Sequence, residues 1–305
     1  DGAAQNRKRL LIQPRYLSLR SLATHPTPGI LLPQRSATHK LALALVWLSV
    51  ALGFLVFTEP APVDVLTMGL IVLLPVIGLV RITDTLMVYL AVWMIAAGCA
   101  FLAAIFAVDT SKALIHTGVS LFLYLGSFVI AAFIVKRPDG HTKLVLHAYL
   151  WSAMAAALFG VIGYFNLVPG AFELLTRYGR ATATFKDPNV FGPFLVPAFV
   201  YALYRLLNRP VTRAFLPLGI MAVLGFALLL SFSRGAWLNL VISLVLYCYM
   251  FFVTARTNLL RVKLLTLLTL GAFGAFLLVA VALQFDAISD LMSQRASISQ
   301  GYDEG

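Results

Sequence analysis

LMVYLAVWMIAAGCAFLAAIFAV, residues 86–108, runs for twenty-three positions without a charged side chain. As an α-helix it would rise about 35 Å, more than the roughly 30 Å hydrocarbon core of a bilayer. Apolar side chains occupy every phase of the helical period, so no polar stripe is left to face water. A barrel strand would be half as long and would alternate polar with apolar positions. The segment reads as a transmembrane helix.

Working outward, the same pattern recurs along the chain. Nine apolar segments stand out, at 41–57, 63–80, 86–108, 113–135, 144–168, 190–207, 214–233, 236–253 and 264–283. Of the 305 residues, 61% are hydrophobic and only 11% charged, with a mean hydropathy of +0.92. A soluble domain carries about a quarter of charged residues. In lipid every backbone polar group must be satisfied within the chain, and segments this apolar can achieve that only as helices. The predicted fold is therefore all-α: a polytopic transmembrane helical bundle of about nine spans, with the lipid bilayer as its main partner. No internal repeat is visible.

The net charge of +11 does not point to nucleic acid, because the basic residues sit between the apolar runs and no basic face is interleaved with aromatics. They report orientation instead. With the N-terminus in the cytoplasm, seventeen Lys and Arg fall on the inner side and six on the outer, while nine of the twelve acids fall outside. That is the positive-inside pattern. Residues 1–40 form a basic leader with seven Lys or Arg and one acid. It reads as a disordered cytoplasmic tail, the alternative being an organellar transit peptide. The chain opens on Asp1 rather than Met, so the natural start is expected upstream. Residues 41–283 make the helical domain, with an outer loop at 169–189, and 284–305 begin a further outer segment.

Cys99 and Cys248 each lie within an apolar run, as small hydrophobes. Neither a zinc spacing nor a disulfide framework is present, and no cofactor or metal is expected. No Asp, Glu, Lys or Arg falls in the middle of a span, which argues against an ion-coupled transporter. Of the five histidines, only His116 is placed near an outer end, where a packed histidine is commoner than a catalyst.

The six outer basic residues are Lys112, Arg177, Arg180, Lys186, Arg234 and Arg295. The loop Pro169-Gly-Ala-Phe-Glu-Leu-Leu-Thr-Arg-Tyr-Gly-Arg-Ala-Thr-Ala-Thr-Phe-Lys-Asp-Pro-Asn189 holds three of them. Its Asp187-Pro188 fits an N-cap followed by proline at the first helical position. A helix N-terminus with arginines beside it suits a phosphate or diphosphate. A plain capped helix with interfacial arginines is the alternative. Ser231-Phe-Ser-Arg-Gly-Ala-Trp237 then places Arg234 in a tight turn, where Gly235 is expected to permit the reversal and Ser231 and Ser233 to offer hydroxyls. Here the alternative is an arginine that snorkels to close a hairpin. Two arginine sites on one sparsely basic face favour a shared anionic ligand.

The stretch Arg180-Ala-Thr-Ala-Thr-Phe-Lys-Asp-Pro-Asn-Val-Phe-Gly192, followed by Ser233-Arg234-Gly235, resembles the O-antigen ligase and O-antigen (exopolysaccharide) polymerase family. The resemblance implies a glycosyltransferase of lipopolysaccharide or polysaccharide biosynthesis, multi-pass in the bacterial inner membrane with its active face periplasmic. It would move a glycan from a polyprenyl diphosphate carrier to a saccharide acceptor, lipid A core or a growing polysaccharide, without a metal. Arg180 and Arg234 match the family's diphosphate-binding arginines, and Arg295 matches less closely a basic position in its large periplasmic loop. Arg177 and Lys186 are secondary candidates. The family's proposed base is a histidine further along that loop, so the resemblance places the catalytic residue beyond residue 305 and implies that residues 1–305 alone are inactive. A non-enzymatic transporter or flippase of lipid-linked sugars would use the same arginines for binding, and a purely structural membrane subunit is a third reading. Reporter fusions after Lys143 and after Tyr302 are expected to report opposite sides of the membrane, and the same side for both would break the nine-span reading.

Overall fold

The computed structural model describes residues 37–58, 60–255, 257–282 and 284. Most of the predicted leader, Arg256, and the segment carrying Arg295 lie outside the described residues. Contacts divide the chain between Lys40 and Leu41, and the following concerns the unit that begins at Leu41.

Each of the nine predicted segments coincides with a helix of fifteen residues or more among the described residues. These are α1 (Ala37–Ala51), α2 (Pro62–Val76), α3 (Asp84–Ile105), α4 (Thr110–Lys136), α5 (Pro138–Tyr164), α7 (Pro188–Leu207), α8 (Phe215–Leu230), α9 (Arg234–Thr254) and α10 (Asn258–Ala282). Between α5 and α7 lie a five-residue helix, α6 (Ala171–Leu175), and two strands, β1 (Thr176–Arg177) and β2 (Arg180–Ala181). The all-α class holds. Among the described residues, six helices are long and apolar enough to cross a membrane: α1 with its 3-10 extension to Phe54, α3, α4, α5, α7 and α9. Helices α2 and α8, at 15 and 16 residues, are apolar but shorter than the ~20 residues a span ordinarily needs.

Local chemistry sets the starts. Thr83, Asp109, Asp187 and Ser233 each accept a backbone N–H from the first turn of α3, α4, α7 and α9, satisfying donors that a helix N-terminus leaves unpaired. Pro62, Pro138 and Pro188 open α2, α5 and α7, where a missing N–H costs nothing. At Pro138 this leaves almost no loop: α4 ends at Lys136 and α5 begins two residues later, so the stretch 136–143 between the predicted spans is mostly helical. His141, in the first turn of α5, is buried with its ring stacked 3.8 Å from that of Phe133.

Three buried clusters hold the helices. One joins α1, α2 and α4 through Ala42, Val46, Leu70, Leu74, Val129 and Phe133. The largest joins α5, α7 and α8, and includes Ala181, Ala183 and Phe185 from the predicted outer loop. The third gathers Leu203, Leu206, Leu207, Cys248 and Leu264 from α7, α9 and α10. Glycines set the closest approaches to α5: a Cβ on Gly160 would lie 2.7 Å from Phe191, and one on Gly163 2.3 Å from Leu175.

At the far end of α7 the Lys263 ammonium donates to the carbonyls of Leu206, Leu207 and Arg209 at 2.9, 2.8 and 2.6 Å. Those are carbonyls a helix C-terminus leaves open, and a cation there also meets the negative end of the dipole. Lys263→Met is expected to cost about 2 kcal/mol, the scale of hydrogen bonds to a charged donor. The measurement is the unfolding midpoint in detergent, and an unchanged midpoint would mean that water serves these carbonyls equally well.

Candidate functional site

The predicted outer loop is a folded piece of chain whose first half is mostly exposed and whose stretch from Arg180 to Phe185 is buried. Asn166, at φ +48°, accepts the backbone N–H of Phe172 on its side-chain oxygen at 3.2 Å, which leads the chain into α6. β1 and β2 pair antiparallel, with Thr176 opposite Ala181 and Arg177 opposite Arg180. The two-residue turn between them, Tyr178-Gly179, has both φ values positive, +55° and +66°. That is a type I′ hairpin, which usually selects Asn-Gly. Tyr178 is an uncommon residue there and gave no sequence signal.

After β2 the chain turns inward. Ala181, Thr182, Ala183 and Thr184 are each no more than 3% exposed. A buried loop must satisfy its own backbone. Here the N–H groups of Thr182 and Ala183 both reach the carbonyl of Leu175, at 3.0 and 3.1 Å. The Thr184 hydroxyl donates to the carbonyl of Phe54, and Phe185 packs its ring on Phe191 and Phe194. Asp187 then caps α7, its Oδ1 accepting from Asn189 N at 2.6 Å, as the sequence suggested.

Arg180 is 5% exposed. Its Nε donates to the carbonyl of Ser231 at 2.8 Å and its Nη2 to Oδ1 of Asn189 at 3.0 Å. Ser231 is the C-cap of α8, Ser233 the N-cap of α9 and Arg234 the first residue of α9. The structure thus brings the Arg180 guanidinium onto the turn that carries Arg234, although fifty-one residues separate Arg180 from Ser231. Arg234 itself is exposed.

The turn is built differently from the sequence expectation. Gly235 lies inside α9 without a positive φ, and the reversal is made by Phe232 at φ +46°, a value non-glycine residues adopt only at a cost of about 1–3 kcal/mol. The two serine hydroxyls are committed: Ser231 Oγ donates to Leu228 O at 2.6 Å, and Ser233 Oγ accepts from Ala236 N at 3.3 Å. The approach of α7 to this turn depends on Gly192, where a Cβ would lie 2.5 Å from the Ala236 Cβ and 2.8 Å from Ser231 Oγ.

The result places two helix N-termini, those of α7 and α9, against each other with Arg180 between them. Both dipoles put their positive ends there. Asp187 and Ser233, as caps, use part of that potential, and Arg180 and Arg234 add to it. Arg177 stands apart: it is exposed, donates from Nη1 to the Lys186 carbonyl at 2.9 Å and lies over the Tyr178 ring at 5.4 Å. That closes the loop on itself. Lys186 is exposed, and Arg295 lies outside the described residues. His116 is exposed on α4. Among the described residues no three His, Cys, Asp or Glu side chains come together as a metal site would require.

Below the turn, a cavity of about 620 Å³ opens between α7, α8, α9 and α10, lined by Phe199, Leu203, Met221, Leu240 and Leu267 among others. Trp237, one turn along α9 from Arg234, forms part of its wall, and its indole N–H is buried without a partner among the described residues. No family model, curated protein or solved structure matches the chain.

Gly192→Ala is expected to lower the unfolding midpoint, by an overpacking cost of about 1–3 kcal/mol, because Ala236 is buried and has nowhere to move. Gly98→Ala, where a Cβ meets nothing within 4 Å, should leave the midpoint unchanged or raise it. Equal effects at the two positions would sink the close-approach account.

Proposed function

We propose that the protein is a membrane glycosyltransferase of O-antigen ligase or polysaccharide polymerase type, with Arg180 and Arg234 holding the diphosphate of a polyprenyl-linked glycan donor. The observation that carries the reading is the Nε–Ser231 carbonyl bond, which joins the two arginine motifs at the meeting point of two helix N-termini. A diphosphate carries two phosphates close together, so its ligands must converge. In glycosyl transfer the leaving diphosphate gains charge as the anomeric bond breaks. Guanidinium groups and helix N-termini aimed at that charge stabilise the transition state more than the ground state. They can do so where a divalent ion would otherwise serve. The apolar cavity beneath the turn suits the first part of a prenyl chain, whose head would then lie at the arginines.

In this reading all nine helices span, the N-terminus is cytoplasmic, and the arginine turn faces the periplasm of a bacterial inner membrane. The distribution of basic residues supports that orientation. The acceptor, lipid A core or a growing polysaccharide, would approach from the same side. The base that activates its hydroxyl belongs, by the family resemblance, to a histidine beyond residue 305.

The test is equilibrium binding of polyprenyl diphosphate to the detergent-purified protein. Arg234→Gln is the variant to use, because Arg234 is exposed whereas Arg180 is buried and tied to Ser231 and Asn189. It should weaken binding about tenfold to a hundredfold, the scale of one or two charge-assisted hydrogen bonds. Arg177→Gln should change affinity by no more than about threefold, since rim charges contribute little. Raising the salt should weaken the wild type more than Arg234→Gln. Wild-type affinity in Arg234→Gln would overturn the assignment.

A further inference from the structure

Helix α9 has one face packed and one face open. Ala236 and Cys248 are buried, with Leu240, Leu244 and Tyr247 half-buried beside them in clusters shared with α7 and α10. On the open side Gly235, Asn239, Ile242, Leu246, Tyr249 and Val253 are all exposed. They follow one another at alternating steps of four and three, the spacing of a helix–helix seam. For the apolar members lipid is as good a neighbour as protein. Asn239 is different.

Its carboxamide lies five residues into α9, about 7–8 Å along the axis from Arg234. Oδ1 accepts from the Ser243 hydroxyl, one turn further in, at 3.2 Å. The side-chain amide N–H groups meet no acceptor among the described residues. In lipid such a donor is costly unless another polypeptide supplies an acceptor at the same depth. A partner of different sequence would have to carry a polar group at that one level. A second copy of the chain does so by symmetry: across a two-fold axis the Nδ2 of each Asn239 faces the Oδ1 of the other. Gly235, one turn above on the same seam, lets the two backbones approach. Arg234 points about 140° around the helix from Asn239, so the arginine turn stays clear of the seam and like charges are not forced together.

We propose that this face of α9 is the interface through which two copies of the protein associate in the membrane, with a reciprocal Asn239 pair at its upper end. The association is independent of what Arg180 and Arg234 bind.

The test is single-molecule photobleaching of the labelled protein in large liposomes over a range of protein-to-lipid ratios. Wild type should dimerise as density rises. Asn239→Leu, a substitution on an exposed face that leaves the packed side of α9 untouched, should shift the midpoint about tenfold towards higher density. Asn239→Gln should retain most of the association. In a Cys99→Ser background, Ile242→Cys on the seam should cross-link into a dimer under mild oxidation, and Leu244→Cys on the packed side should not. A monomer at every density, or a dimer that Asn239→Leu leaves intact and Ile242→Cys fails to trap, would overturn the proposal.

Discussion

A guanidinium removed from water costs several kcal/mol unless its donors are met, and that requirement organises one end of this bundle. Arg180 reaches the Ser231 carbonyl and the Asn189 side chain, tying together β2, the first turn of α7 and the α8–α9 turn. Each of those pieces carries its own strain or crowding. Phe232 and Ala183 hold positive φ while buried, and Gly192 is pressed against Ala236 and Ser231. The four non-glycine residues with positive φ among the described residues, Asn166, Tyr178, Ala183 and Phe232, all lie in the 165–187 loop or this turn. Strain concentrated in one place persists only where the surroundings over-determine it, and a buried charge with fixed acceptors is such a determinant.

The same bonds divide the labour between the two arginines. Arg180 is committed in part to the protein's own acceptors, so its removal would damage the scaffold as well as any anion site. Arg234 opens α9 from an exposed position. An anion arriving at the turn would therefore meet one arginine buried and already oriented and one at the exposed surface. Orientation in advance lowers the entropy lost on binding.

Most of the helical plan was legible in the sequence because lipid imposes a one-dimensional rule: apolar length predicts a helix whatever its neighbours do. The Asp187-Pro188 start of α7 was legible for a similar reason, since a cap and a first-turn proline act within four residues. What escaped was set by contacts distant in sequence. Tyr178-Gly179 does not announce a type I′ turn, and nothing in Ala181-Thr-Ala-Thr184 marks it as buried rather than exposed loop. Gly235 looked like the hinge of the α8–α9 turn, yet Phe232 takes the strained conformation while Gly235 continues the helix. Asn189 carried no sequence reading of its own, and it is an acceptor for Arg180. Lys263 was counted among the inner basic residues for topology, whereas it also closes the end of α7.

The position of α7 explains why the arginine end is built where it is. Half of its most apolar window is buried inside the protein, against 11% for α3 and α9. It also carries Pro193 and Pro197 in its interior, and each removes one helical hydrogen bond. In lipid such a helix needs neighbours to serve the freed carbonyls. It is packed against α5, α8 and α9, and Tyr149 of α5 donates at 2.6 Å to the carbonyl of Phe194, next in the chain to the one that Pro197 frees. A helix held so closely along its length fixes its N-terminus in space, and that N-terminus is where Asn189 takes Arg180. The peripheral helices have the converse character. Their open faces contribute little to the position of the turn, which leaves them free to meet lipid or another helix without disturbing it.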